Sequence, residues 1–323
     1  MGAKLTILFS SAGRRTALVD CFCLGAKQLG LSLRVAAVDV RPELSAACQM
    51  ANVRYAVPRC TGPGFVSSLL EICRKEQVKL LVPTIDTELP VLSAHRADFA
   101  AVGTRVVVSA PEVVGLARDK LATARMLAAA GIMTPRTLAW DEFIRDPSQL
   151  REPVIAKPTG GSSSIGLIKP ARATDLRGLD GRGYLVQELW RGREYTVNIF
   201  FDASGQLRCA VPHERMEVRA GEVSKGRTER VPTLAAAARN LAAVLPGAYG
   251  PLCFQAIVTP AGECCVFEIN ARFGGGYPLA HHAGARFAQW LLEEVAGLPS
   301  TANDDWKAGV TMLRYDAAVF VDG

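Results

Sequence analysis

The sequence predicts an α/β domain with a doubly wound parallel sheet, followed by an α+β region. Three observations predict this. Before residue 110, apolar strand-like runs alternate with helical stretches, the pattern of a parallel sheet covered on both faces. Around residue 110 the pattern shifts, with Ala110-Pro111-Glu112 opening a long helix. Beyond it, one strand runs into a glycine- and serine-rich loop, and another carries polar residues at every second position.

The first-domain strands are expected at 5–9, 35–38, 80–82 and 105–108, with helices at 16–29, 65–76 and 89–100 between them. Ser10-Ser11-Ala12-Gly13-Arg14-Arg15 follows the first strand and enters a helix, where doubly wound folds bind phosphate or nucleotide. Asp39 ends the second strand like the acid of a dinucleotide site, yet Gly-x-Gly-x-x-Gly is missing, which argues against such a site. Residues 83–88 (Pro-Thr-Ile-Asp-Thr-Glu) end the third strand. They either face a cleft or cap the next helix. Thr87 as an N-cap and acids in a first turn favour the cap.

One helix is expected from 111 to Gly131, with Pro135 beyond and Asp119 and Lys120 in its middle as a solvated ion pair. The strand from Val154 ends in Lys157, followed by a glycine- and serine-rich loop and a second apolar strand to Ile168. Consecutive amides in such a loop can cradle phosphate, and the lysine adds a point charge. The lysine precedes the loop and a strand follows, so this is not a P-loop. A glycine-rich hairpin turn is the plainer alternative. Further on, Glu268, Asn270 and Arg272 alternate with apolar residues, and Gln255 lies on the preceding strand. One strand face then offers hard oxygen ligands that suit Mg2+, or it is an ordinary half-exposed hairpin.

Together these residues carry a resemblance. Asp119-Lys120, the run from Lys157 to Gly166, Gln187-Glu188-Leu189-Trp190 with Glu194, Gln255, and Glu268-Ile269-Asn270-Ala271-Arg272 stand in the order of the ATP-grasp superfamily over residues 110–290. The chain resembles one ATP-grasp half of the carbamoyl phosphate synthetase large subunit. One half is present, and nothing reads as a glutaminase. The resemblance implies a pre-ATP-grasp domain (1–110), a small ATP-grasp unit with its linking helix (111–185), a large unit (186–300) and a strand-like tail (301–323). It implies ATP phosphates held by Lys120, Lys157, Gly160, Gly161, Ser162, Ser163 and Ser164. Adenine would lie against Gln187, Glu188, Leu189 and Trp190, and ribose against Glu194. Gln255, Glu268 and Asn270 would hold Mg2+, with Mn2+ as the alternative, and Arg272 and Lys157 would be catalytic. Residues 213–227, with Arg215, Lys225 and Arg227, read as a mobile flap or a solvated hairpin. His281 and His282 either line the acceptor side or are satisfied surface residues.

The implied reaction joins a small-molecule carboxylate to an amine through an acyl phosphate, releasing ADP and phosphate. A carbamoyl-phosphate-forming or kinase-like enzyme, and a non-catalytic nucleotide-binding protein, are the alternatives. Composition agrees with a globular enzyme. The 323 residues are 49% hydrophobic and 21% charged. The net charge of +6 is scattered without a basic run, so nucleic acid is not an expected partner. Nine cysteines lack zinc spacing and read as small apolar residues of a reducing compartment. No apolar run approaches the ~20 residues of a membrane span. The N-terminus turns polar too quickly for a signal peptide, so the cytoplasm is expected, without a membrane partner. A homo-oligomer is compatible with this reading.

Overall fold

The computed structural model describes residues 4–160, 166–169, 172–176 and 178–321. Gly161, Ser162, Ser163 and Ser164 of the predicted phosphate loop lie outside the described residues.

Five strands, β1 (Lys4–Ser10), β2 (Ser32–Asp39), β3 (Val53–Ala56), β4 (Leu80–Pro83) and β5 (Arg105–Val106), form a parallel sheet in the order β3-β2-β1-β4-β5. Helices α1 (Thr16–Gln28), α2 (Ala46–Met50), α3 (Phe65–Glu76), α4 (Leu89–Ala94) and α5 (Arg96–Ala101) connect them. Both faces of the sheet are buried. Leu8, Ala36, Val38 and Leu81 feed one core with Leu69 and Phe99, while Ile7, Phe9, Val35 and Val82 feed the other with Leu18 and Phe22. The strand order reverses between β1 and β4, so a crevice forms outside their carboxyl ends. The loops after β1 and β4 meet there, where Thr84 Oγ1 donates to the Ser11 carbonyl at 2.6 Å.

The helix expected from 111 to 131 is two helices, α6 (Pro111–Arg118) and α7 (Lys120–Ala129). Asp119 between them is extended, and its carboxylate accepts the Leu121 and Ala122 amides at 2.9 and 3.0 Å. It is therefore an N-cap and not half of a mid-helix ion pair. The next unit comprises β6 (Thr137–Ala139), α8 (Trp140–Arg145), β7 (Val154–Pro158) and β8 (Tyr184–Glu188), with the antiparallel order β6-β8-β7. Val154, Ala156 and Val186 pack onto Trp140 and Phe143. By alternation, Ile155, Lys157, Leu185 and Gln187 occupy the opposite face. Among the described residues, the second strand expected after the loop is represented by a bridge between Ala156 and Ile168.

The remaining elements are β9 (Arg193–Phe201), β10 (Leu207–Arg219), β11 (Glu222–Thr228), α9 (Pro232–Ala243), β12 (Gly250–Val258), β13 (Cys264–Asn270), α10 (Tyr277–His282), α11 (Phe287–Val295) and β14 (Thr311–Leu313). They build a six-stranded sheet in the order β13-β12-β9-β10-β11-β14. Among its described residues the tail expected to be strand-like contributes one strand, residues 311–313. No helix among the described residues is long and apolar enough to cross a membrane.

Candidate active site

The six-stranded sheet sets up the site by register. Glu268 on β13 stands opposite Gln255 on β12, Gln255 opposite Thr196 on β9, and Thr196 opposite His213 on β10. Partners across a ladder share a face, so one polar row crosses four strands. Two residues further along, Asn270, Cys253 and Asn198 form a second row. Glu268, Asn270 and Gln255 line a cleft of about 190 Å³ between this sheet and the crevice of the N-terminal domain. Arg15 and residues 84–87 line its other wall.

Arg272 follows β13 into the cleft. Its Nη2 meets Asp86 Oδ2 at 2.6 Å, and its Nη1 donates to the Phe273 carbonyl at 3.0 Å. Burial works against the guanidinium charge, but Asp86 outweighs it and the pKa lies above the ordinary value. Asp86 gets there because the turn after β4 is pinned by Glu88. This fully buried carboxylate accepts the Thr84 and Ile85 amides at 2.7 and 3.1 Å and the Ser11 hydroxyl at 2.9 Å. The cap reading of residues 83–88 holds for the start of the helix, where Glu88 accepts the Ile85 amide and acids occupy the first turn, and fails for Thr87. Thr87 caps nothing, and residues 84–87 face the cleft.

Lys157 is the penultimate residue of β7, with 8% of its surface exposed and its Nζ 5.6 Å from the centre of the Phe267 ring. Burial pulls its pKa down to about 8; Glu268 opposes that shift and Lys120 adds to it. The two predicted lysines and the predicted metal carboxylate therefore lie within electrostatic reach of one another. The Lys120 amide donates to the Thr159 carbonyl at 3.1 Å, tying the start of α7 to the loop after β7. Lys120, Asp86, Glu268 and Asn270 line a smaller recess beside the cleft. Gly160 is exposed.

The predicted adenine segment is more committed to its own sheet than expected. Buried Gln187 donates to Thr137 Oγ1 at 2.7 Å, Glu188 accepts the Arg151 amide at 3.0 Å, and the Leu189 amide donates to the Pro153 carbonyl at 2.8 Å. Trp190 is half-buried. Glu194 Oε1 lies 2.8 Å from Arg215 Nε, so any ribose contact shares this carboxylate with Arg215.

The β10–β11 segment is a paired hairpin with one face on the cleft. Arg215 reaches Thr196 Oγ1 at 3.3 Å and the Gly221 carbonyl at 3.2 Å. Glu222 takes Arg15 on one oxygen at 3.0 Å and Arg314 on the other at 2.8 Å. The glycines after Phe273 are required by contact. A Cβ on Gly275 would stand 2.7 Å from the Glu222 carboxyl carbon, and one on Gly276 would stand 2.5 Å from His213 Nε2. His281 is buried against the Tyr277 hydroxyl at 3.0 Å, away from the cleft lining, and His282 is exposed.

The donor set fits Mg2+ better than a softer ion. Among the described residues no three of His, Cys, Asp or Glu gather in a metal-holding group. Glu268 supplies one carboxylate. Asn270 Nδ2 donates to Glu268 Oε1 at 3.2 Å, which leaves the Asn270 amide oxygen for a cation. One carboxylate, amide oxygens and phosphate suit a hard, partly hydrated ion.

Known proteins agree with this architecture. Residues 7–107 match the family model of the PylC-like N-terminal domain, and residues 117–276 match that of the ATP-grasp domain. Residues 117–276 form an ATP-grasp domain. A D-alanine–D-alanine ligase of a Synechococcus species is 28% identical over 114 residues, 32% of this chain and 34% of the ligase. The chain spans well under half the length of the curated relatives it matches. The biotin carboxylase domain dimer of the Hydrogenobacter thermophilus 2-oxoglutarate carboxylase, in complex with MgADP, ADP and bicarbonate, superposes with a TM-score of 0.71 at 15% identity, over 92% of this chain and 71% of that one. The Staphylococcus aureus N5-carboxyaminoimidazole synthetase gives a TM-score of 0.70 at 14% identity, over 95% and 81%. These matches carry the superfamily and the fold; they do not reach the narrower likeness to carbamoyl phosphate synthetase. In this ATP-grasp chain, the match over 117–276 takes in both lysines, Gln255, Glu268, Asn270 and Arg272. Arg15 and Asp86 come from the PylC-like match, and Arg314 lies outside both. Sequence reading gave Arg15 only a place in a candidate phosphate-binding turn and gave Glu222 no role, because their pairing rests on contacts between distant segments.

Proposed function

We propose that this ATP-grasp protein is an ATP-dependent carboxylate–amine ligase working through an acyl phosphate. The observation that carries the proposal is the convergence, around one cleft, of an oxygen-donor set, two lysines and a buried arginine. Among the described residues no group there is poised as a covalent nucleophile. Cys253 lines the cleft, but burial pushes its thiol up to about 11, and burial pulls His213 down to about 3. The similarity to a D-alanine–D-alanine ligase supports ligation, and MgADP in the Hydrogenobacter domain supports the nucleotide. The dimer reported there supports a homo-oligomer.

In the proposed reaction a carboxylate oxygen of the substrate forms a bond to the γ-phosphorus of ATP while the bond to the β-phosphate oxygen breaks. An amine then attacks the acyl carbon, loses a proton to solvent, and phosphate leaves. Lys157 and Lys120 hold phosphate oxygens, and Arg272 neutralises charge on the transferred phosphoryl group. Gln255, Glu268 and Asn270 would hold Mg2+, which screens phosphate charge when bound. A screen of carboxylates with MgATP and hydroxylamine tests the proposal. Carboxylate-dependent ADP release with hydroxamate is expected, whereas AMP and pyrophosphate would contradict it. Bicarbonate-dependent ADP release without hydroxamate would favour the carbamoyl-phosphate alternative.

A further inference from the structure

Around the acceptor half of the cleft, counting Arg314, which touches the lining residue Glu222 without lining the cleft itself, positive charge exceeds negative. Arg272 pairs with Asp86 at 2.6 Å. Arg15 and Arg314 share one carboxylate, Glu222, at 3.0 and 2.8 Å. Three guanidinium groups thus face two carboxylates, and Arg14 acts on the same cluster from the exposed mouth. Of the other charged groups nearby, Arg215 has Glu194, while Glu268 faces the two lysines on the side of the cleft proposed to hold phosphate. Arg15 is largely buried, with 21% of its side chain exposed, and burial together with Arg272, Arg314 and Arg14 makes its charge costly. A merely structural clamp would not need two arginines on one carboxylate beside an open cleft. Glu222 sits on the cleft-facing hairpin, held over Gly275, whose carbonyl also accepts Arg314 Nη2.

We propose that Arg15 and Arg314 form a subsite for a second, non-reacting oxyanion of the substrate, carboxylate or phosphate, and that the Glu222 carboxylate occupies this subsite until the substrate displaces it. The inference rests on the ligase reading and narrows its substrate to compounds with two anionic groups. One is phosphorylated beside Arg272 and Glu268. The other anchors the molecule against the N-terminal domain. Fixing the far end in this way orients the reacting carboxylate. Arg15 and Arg314 would therefore determine specificity without touching the reacting atoms.

The test is calorimetric binding in the presence of MgADP, using succinate, glutarate and 3-phosphonopropionate against butyrate. At least one dianion is expected to bind about tenfold or more tightly than butyrate, in line with one to two charge-assisted hydrogen bonds. Arg15→Ala should erase that preference, and Glu222→Gln should strengthen dianion binding by removing the internal competitor. The better of succinate and 3-phosphonopropionate identifies the oxyanion. If Arg15→Ala lacks a cooperative thermal transition, Arg15→Gln and Glu222→Gln carry the test. The proposal is overturned if no dianion exceeds butyrate, or if the preference survives loss of Arg15 in a folded protein. Hydroxylamine-dependent ADP release on the same compounds reports separately on ligation. Dianion preference without ADP release would sink the ligase reading alone, and ADP release without dianion preference would sink the subsite alone.

Discussion

Asp86 and Arg272 lie 186 positions apart in sequence, yet they meet at 2.6 Å across the cleft. The pair links the turn after β4 to the residues after β13, so the N-terminal domain holds the arginine proposed to face the transferred phosphoryl group. Both side chains are mostly buried, Asp86 at 17% and Arg272 at 13% exposure. Contacting charges in one network are expected to couple. A double-mutant cycle with Asp86→Ala and Arg272→Ala should return a coupling of about 0.5–3 kcal/mol in denaturant unfolding. Additive effects would mean that the pair contributes nothing specific.

Lys157 makes a pH-dependent prediction. It titrates near 10.5 when unperturbed and near 8 in the fold. Between these values the unfolded chain holds more protons, so the cost of burying the charged lysine is full below about pH 8 and is relieved as pH rises towards 10.5. MgATP phosphates should restore the proton. Binding at about pH 8.5 should therefore take up protons, visible as a buffer-dependent calorimetric enthalpy. Lys157→Ala should abolish that uptake and weaken MgATP by ~1.5–3 kcal/mol. Unchanged uptake in the variant would assign the proton elsewhere.

Glu268→Gln keeps the shape of the side chain and removes its charge. Mg2+-dependent turnover should collapse, while the thermal midpoint without ligand moves little. Lys157 would lose the carboxylate that opposes its downward shift, so its pKa should fall further. Full activity at saturating Mg2+ would exclude Glu268 as a ligand.

Gly276→Ala places a methyl group 2.5 Å from His213 Nε2, and His213 is fully buried with no room to retreat. Overpacking of this kind costs about 1–3 kcal/mol. Chemical denaturation should show the loss, and a wild-type midpoint would mean that the loop relaxes freely.

Much of the fold was legible in the sequence because it rests on local periodicity. Strands β1, β2 and β4 and helices α1 and α3 stand where alternating patterns placed them. Lys157, Glu268 and Asn270 were legible as strand residues beside a loop or on one face. Asp119 was misread because a good N-cap inside a continuous apolar pattern looks like any exposed acid. The 83–88 turn was half legible: its capping grammar is sound, but buried Glu88 rather than Thr87 provides the bonds, and Asp86 also turns towards Arg272 in the cleft. Short, half-exposed β3 lacks a pattern strong enough to find, and the Arg15–Glu222–Arg314 cluster depends on three segments meeting only in the folded chain.

The central claim is that the substrate carboxylate itself accepts the phosphoryl group. The most direct measurement labels that carboxylate with 18O and follows the label during amide formation with MgATP. Each inorganic phosphate released should carry one 18O, and ADP should be unlabelled. Label in AMP, or phosphate free of label while the amide forms, would contradict it.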